Sequence, residues 1–587
     1  MTPASIQPTR TLLLDIFSLL SRRRRIQLGL LLVVMLASGV AELVSLGTVL
    51  PFLAVLTSPE QLWQKPLVQA LALRAGFIGP AQLLLPATSA FVAAALVAAT
   101  VRLTNLWLNT RLAAAVGSDL SGEVYRRTLY QPYVVHVQRN SSTVINTITL
   151  QVGRTVGALN SVLILATSLM VAAFLLIGLL LINWKVALLT TALFGSAYIF
   201  IVKISRSNLS RNSRQITAAS GQLVKAVQEG LGAIRDVLLD GSQPFYQEIY
   251  LKADRCQRQL QAKNDFLASF PRFVLEALGM VAIALLGLLL VGQKDGGGEV
   301  IPLLGALALG AQRLLPALQQ AYTGWASLKS FNADLAGVIE LLKQPLPPMF
   351  VASAPLELNH AIQLQGVRFR YAPQLPEVLS GLDLEIRRGE RIGLVGSTGS
   401  GKSTTVDLLM GLLVPSGGRL LVDGLDLHDP LYPKRLLAWR AAIAHVPQSI
   451  YLADASIAEN IAFGIPKDKI DLERVRDAAA QAQIASFIEG SDGGYKSFVG
   501  ERGIRLSGGQ RQRIGIARAL YKEARVLVFD EATSSLDNTT EQAVMHAIDW
   551  LSKELTIVII AHRLSTVQNC DRVIRLEMGK LYVRQSS

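Results

Sequence analysis

"GLVGSTGSGKSTTVDLLMG", residues 393–411, decides half of the fold. Gly396, Ser397, Thr398, Gly399, Ser400, Gly401, Lys402 and Ser403 carry the glycine, lysine and hydroxyl spacing of a phosphate-binding loop. A strand pattern, Ile392 to Val395, precedes them, and an apolar-periodic helix follows. The glycines let backbone N–H groups turn toward phosphate oxygens, and the helix N-terminus adds positive potential. Lys402 is expected to reach the β- and γ-phosphates of ATP. The Ser403 hydroxyl is expected to ligate Mg²⁺, with Thr404 closing the nucleotide-binding set. The spacing alone recurs by chance, so it needs partners.

"VLVFDEATSSLD", 526–537, supplies one. Val526 to Phe529 read as a buried strand that ends in Asp530 and Glu531. Asp530 is expected to hold Mg²⁺, and Glu531 to polarise the attacking water. Two solvated acids at a strand end are the alternative, and the phosphate loop upstream weighs against it.

The remainder of the chain is of another kind. Of 587 residues, 51% are apolar and 17% charged, which points to a membrane component. The net charge of +14 could serve nucleic acid, but the basic residues cluster beside apolar runs. Cationic loops next to a membrane fit better, and no nucleic-acid partner is expected. Cys256 and Cys570 lie far apart and give neither a disulfide framework nor metal-ligand spacing. Six long apolar runs occur near 27–56, 86–110, 158–182, 186–206, 267–292 and 300–327. Each reaches or approaches the roughly 20 residues that a membrane helix needs. Arg22 to Arg25 precede the first and place the N-terminus in the cytoplasm. That run is too long for a secretory signal, so it reads as an uncleaved span. Asn183, Trp184 and Lys185 form a tight outer turn, whereas 206–265 carries nine Lys/Arg and belongs inside. Spans two and three, and four and five, therefore form two long cytoplasmic hairpins.

After span one, 59–76 mixes Leu62, Trp63, Leu67, Leu71 and Leu73 with polar residues. It reads either as a short helix on the outer membrane face or as a loop, with Pro66 near a helix start or a kink. Pro345, Pro347 and Pro348 predict an extended hinge. The expected organisation is a membrane domain over 1–342, a linker over 343–355 and an α/β nucleotide-binding domain over 356–587.

"LSGGQRQRIGIARAL", 506–520, narrows the class. It resembles the signature of ATP-binding cassette (ABC) proteins, and the resemblance extends across 356–587. It implies ATP contacts from Ser507, Gly508, Gly509 and Gln510. By the same resemblance Tyr371 stacks on adenine, and Gln448 in "HVPQS" senses Mg²⁺. Glu501 in "VGERG" lies near the membrane-domain contact. Asp537 lies at a dimer seam, and His562 in "IAHRLST" reads the γ-phosphate. In this family the signature of one subunit closes over the phosphate loop of another. A homodimer is implied, with a paralogue heterodimer as the alternative. Six spans followed by one cassette resemble the type IV exporter: an all-α six-helix membrane domain, then an α/β P-loop ATPase. Coupling helices are expected near 131–140 and 229–238. No peptidase precedes span one, which points away from peptide exporters fused to a protease. The implied place is the inner membrane, multi-pass, with the N-terminus and ATPase cytoplasmic.

Three arginines interrupt the apolar runs: Arg102, Arg272 and Arg313. By helical rise they lie roughly 24, 31 and 20 Å below the outer ends of their spans. Such a charge is costly in hydrocarbon and should face a cavity or a partner. An anionic cargo is one partner. Glu42 and Glu276 are the alternative, and Arg272 could also snorkel. An arginine-lined cavity with an outer helix resembles PglK-type flippases of lipid-linked oligosaccharides. That resemblance implies ATP-driven flipping of a polyprenyl-pyrophosphate glycan whose headgroup meets these arginines, while 59–76 meets lipid. Export of lipid A or drugs is the alternative, and a non-transporting regulator is a reading of a different class.

Overall fold

The computed structural model describes residues 8–57, 59–64, 66–74, 77–182, 184–291, 297–346, 354–531, 554–561 and 564–584. The chain divides into two compact units. One comprises 1–131 and 139–346, and the other 132–138 and 347–587.

The first unit is helical. Among the described residues it holds α1 (Thr9–Leu19), α2 (Arg22–Gly47), α3 (Val49–Thr57), α4 (Pro59–Trp63), α5 (Pro66–Arg74) and α6 (Leu84–Leu129). The chain then passes through α7 (Tyr133–Gln138), which belongs to the second unit. It returns as α8 (Ser141–Asn146), α9 (Val152–Ile182), α10 (Trp184–Gly232), α11 (Ile234–Leu239), α12 (Gln243–Val291), α13 (Gly297–Ser330) and α14 (Asn332–Leu342). The six expected runs map onto α2–α3, α6, α9, α10, α12 and α13. Three stretches of the described residues, Arg22–Thr57, Pro80–Leu129 and Ser141–Leu181, are long and apolar enough by themselves to cross a bilayer.

Local chemistry sets the ends of these helices. Ser21 caps α2 by accepting from the Arg24 N–H, which places the arginine run in the first turn. Among the described residues of 59–76, Pro59–Trp63 and Pro66–Arg74 form two short helices, and Pro66 opens the second, where its missing N–H costs nothing. The hairpin arms continue as helices well beyond the apolar runs; short helix α7 sits within one of the stretches expected to couple, 131–140, and α11 overlaps the other, 229–238. The extended hinge largely falls on 347–353, outside the described residues.

Inside this unit the helices are joined by small and polar residues, since lipid gives no hydrophobic drive between helices. Gly324 of α13 lies so close to α9 that an added Cβ would stand 2.8 Å from the Ser161 carbonyl. Asn264 of α12 accepts from Asn212 of α10 and donates to Ser330 of α13, each at 2.8 Å.

The second unit is α/β. A four-stranded antiparallel sheet is formed by β1 (Ala361–Phe369), β2 (Leu379–Arg387), β4 (Gly417–Val422) and β5 (Leu425–Asp426), in the order β2-β1-β4-β5. The six-stranded sheet has the order β10-β9-β3-β8-β7-β6. Its members are β3 (Arg391–Val395), β6 (Ile443–Val446), β7 (Val526–Asp530), β8 (Thr556–Ile560), β9 (Arg572–Glu577) and β10 (Lys580–Arg584). All its pairings are parallel except β9 with β10. β8 is buried along its whole length, which is why it reads as a continuous apolar run. Helices α15 (Lys402–Leu409), α16 (Lys434–Ala442), α17 (Ile457–Ile461), α18 (Leu472–Gln481), α19 (Ala485–Glu489) and α20 (Gly508–Tyr521) pack around the sheets. Because β8 separates β3 from β7, the loops leaving these two strands emerge at one edge of the parallel sheet. That edge is where doubly wound folds bind ligands.

Candidate functional site

The loop after β3 leads directly into α15. Gly401 caps that helix at φ +102°, a conformation an L side chain resists. An added Cβ there would also meet Leu379 at 2.8 Å. Nothing lies within 4 Å of where a Gly399 Cβ would stand, so the crest of the loop faces open space. The Lys402 ammonium donates to the Gly396 and Ser397 carbonyls at 2.8 and 3.0 Å. Burial lowers its pKa, and the charges of Glu531 and Asp530 offset part of that shift. The Ser400 hydroxyl is buried without a hydrogen-bond partner among the described residues. An orphaned hydroxyl, a buried lysine and a helix N-terminus around an open crest fit a polyphosphate.

Asp530 ends β7, opposite Ile560 of β8. Glu531 follows at φ +47°, a strained position for a non-glycine residue, and its N–H donates to the Ile560 carbonyl at 3.0 Å. The Gln448 amide donates to the Glu531 carboxylate at 2.9 Å. The structure thus joins Gln448 with Glu531, and charge couples both acids to Lys402. The Tyr371 hydroxyl lies 3.2 Å from that of Thr404, with its ring edge-on to Phe369. Ser403 is exposed on the first turn of α15. Asp530 and Ser403 are oxygen donors of the hard type that Mg²⁺ prefers.

Ser507 caps α20, and Gln510 reciprocates in a capping box. Ser507 is exposed, and a Cβ at Gly508 would find nothing within 4 Å, whereas Gly509 is buried. This second helix N-terminus is also open for an anion. Glu501 is exposed in a short turn whose Arg502 has φ +52°. Asp537 and His562 lie outside the described residues.

Two further features belong to this unit. Asp407, on α15 behind the phosphate loop, has its pKa pushed up to about 6 by burial and by Asp530. From α7, Gln138 donates to the Tyr371 carbonyl at 2.7 Å, Val134 packs on the apolar core, and Asp407 acts electrostatically on Tyr133. The resemblance to exporters led to a coupling helix near 131–140, but nothing in the sequence names these particular contacts.

In the first unit, a cavity of about 840 Å³ opens between α6, α9, α12 and α13. Leu106, Ile164, Phe273 and Leu315 line it beside Gln312, Gln319 and Gln320. Pro271 lies within α12 at this wall, where it removes a backbone hydrogen bond. The glutamines carry no charge to mark them in the sequence. Their i, i+7, i+8 spacing on one helix face was the available signal.

Of the arginines, Arg272 lines this cavity, but its guanidinium pairs with Glu276 one turn away at 2.9 Å. Arg102 pairs with buried Glu42 of α2, also at 2.9 Å. For these two residues the structure shows the internal pairing that the sequence left open, each guanidinium standing 2.9 Å from a carboxylate oxygen. Arg313 lies on α13, and its side chain lies outside the described residues.

Comparison with known proteins agrees with both units. Residues 27–298 match the family model "ABC transporter transmembrane region", and 379–534 match "ABC transporter". An ATP-dependent lipid A-core flippase of Chromohalobacter salexigens is 32% identical over 469 residues, 78% of each chain. One of Cupriavidus metallidurans is 30% identical over 494 residues, 84% of this chain and 82% of its own. A bacterial Atm1-family ABC exporter solved with ATP bound superposes with a TM-score of 0.76 at 26% identity, over 96% of this chain and 95% of its own. The chain therefore belongs to the ABC transporters, as an exporter half-transporter whose cassette hydrolyses ATP to drive transport.

Proposed function

We propose that two copies of this chain flip an amphipathic, anionic glycolipid of the lipid A-core class across the inner membrane. The observation that carries this reading is the cavity between α6, α9, α12 and α13. It is mixed in character: aliphatic and aromatic side chains for acyl chains, glutamine amides for a glycosylated headgroup, and one arginine–glutamate pair. The similarity to lipid A-core flippases supports the same cargo. The polyprenyl-pyrophosphate reading needs unpaired cations at membrane depth, and the pairs at Arg102 and Arg272 take support from it.

In the cassette, residues 396–404 hold the nucleotide phosphates, and Tyr371 supports the adenine. Ser403, Asp530 and Gln448 would hold Mg²⁺, which supplies charge neutralisation between the phosphates. Glu531, oriented by Gln448, accepts a proton from the attacking water, and His562 reads the γ-phosphate. Ser507 to Gln510 and Asp537 face the phosphates of a second copy, which is why the open Gly508 supports a homodimer. Helices α7 and α11 carry closure into the membrane helices. The exposure of Ile234, Leu238 and Leu239 on α11 supports docking on that second copy. The N-terminus and cassette lie in the cytoplasm.

The test is ATP hydrolysis in reconstituted vesicles. Lipid A-core glycolipid should stimulate turnover several-fold in the wild type and in Arg313→Ala. Stimulation by a polyprenyl-pyrophosphate oligosaccharide alone, abolished by Arg313→Ala, would return the assignment to the oligosaccharide flippases.

A further inference from the structure

A second cavity, of about 500 Å³, lies between α1 and helices α2, α6, α9 and α13. It shares no lining residue with the cavity at α12. Its wall is aliphatic and aromatic, with Leu13, Phe17, Leu28, Val116, Leu163 and Trp325 among its members. The polar exceptions are Thr9, Arg10 and Lys329. These three sit together: the Lys329 ammonium donates to the Thr9 hydroxyl at 2.8 Å, and Arg10 is the next residue. The cavity therefore has one cationic end and a long apolar body.

Among the described residues, no carboxylate lies within ion-pair distance of Lys329 or Arg10. Asp15, the one acid of α1, is held instead by Lys343 at 2.6 Å. Arg206 adds further positive charge near Lys329. The cavity opens to the surroundings on the α1 side, where its lining residues Leu14 and Phe17 are 58% and 47% exposed. A short helix with such a face lies in the boundary between headgroups and acyl chains. A half-buried ammonium at the mouth of an aliphatic slot, at that depth, complements one kind of molecule: an anionic lipid.

We propose that this cavity binds an anionic phospholipid of the surrounding leaflet. An acyl chain lies along the Leu28–Val116–Leu163 wall, and the phosphate sits on Lys329 and Arg10. The bound lipid straps α1 to the end of α13. This site rests on the membrane placement of the first unit and is independent of the cargo.

Trp325 provides the probe. The full-length protein is reconstituted in phosphatidylcholine vesicles containing a minor fraction of brominated phosphatidylglycerol or, separately, brominated phosphatidylcholine. Quenching at Trp325 is taken as the difference between wild type and Trp325→Phe. The expected result is preferential quenching by the anionic lipid, by about fivefold for each cation. Arg10→Gln with Lys329→Gln should abolish the preference while ATP hydrolysis persists. Arg10→Gln alone, at an exposed position, should remove about fivefold and tests the site even if the double variant folds poorly. Equal quenching by the two lipids, a preference that survives the double substitution, or displacement of the brominated lipid by lipid A-core glycolipid would each overturn the proposal. Cargo-stimulated ATP hydrolysis in the same vesicles reports separately on the transport reading.

Discussion

The pair between Glu42 and Arg102 is the point at which structure and cargo can be separated. Its Oε1–Nε distance is 2.9 Å, with Glu42 3% and Arg102 55% exposed. At an effective dielectric of 20 the gross attraction is about 6 kcal/mol. Most of that is offset by desolvation of the glutamate and by solvent screening at the half-exposed arginine. Polar pairs between membrane helices retain about 0.6 kcal/mol on average and about 1.7 at most. The expected coupling between Arg102→Met and Glu42→Gln is therefore about 1–2 kcal/mol, near the upper end, because the glutamate is buried. It would be measured as a double-mutant cycle on unfolding of the purified protein in mixed micelles. In the same preparations, Arg102→Met should keep lipid-stimulated ATP hydrolysis per folded molecule. Stabilities additive to within about 0.5 kcal/mol, together with lost stimulation, would refute the structural assignment. They would return Arg102 to the cargo.

Replacing Glu531 by Gln should lower ATP turnover by about 10²–10⁴-fold, because a positioned base is lost while the nucleotide contacts of 396–404 remain. Turnover and nucleotide binding measured side by side check this, and normal turnover would remove Glu531 as the base. Asp334, on α14 beyond the apolar run of α13, has its pKa pushed up to about 6 by burial, against the opposing influence of Arg154 and Thr217. A carboxyl raised in the folded state contributes stability that is complete below its unfolded value near 4 and lost as pH rises through about 6. The contribution is about 3 kcal/mol at most. The apparent melting temperature should therefore fall between pH 4 and 7, and Asp334→Asn should flatten that fall. Parallel melting profiles would exclude the residue as its source.

Motifs that act through local backbone were legible from the chain itself. The phosphate loop could be read because its chemistry needs glycines, lysine and hydroxyl within eight consecutive residues. The β7 acids could be read because a parallel strand must be apolar along its length and then end. The long helices followed from apolar runs of bilayer length, whereas the short helices α7 and α11 were expected only from the resemblance to exporters. The role of Arg102 was not legible. The residue lies 60 positions from Glu42, and no periodicity tells whether a membrane arginine meets a carboxylate or a cargo. Gln312, Gln319 and Gln320 carry no charge to mark them, and they become a cavity wall only when α13 turns them toward α9 and α12.

Sequence alone thus determined what several segments are: a bilayer-length helix, a nucleotide loop, an apolar strand ending in two acids. Those identities depend on solvent preference and on hydrogen bonds between near neighbours. Only the tertiary structure decided which charges are already neutralised, that Glu531 is strained beside Gln448, and where apolar cavities open. Such facts depend on contacts between residues far apart in the chain, where burial and distance, not residue type, set the energy.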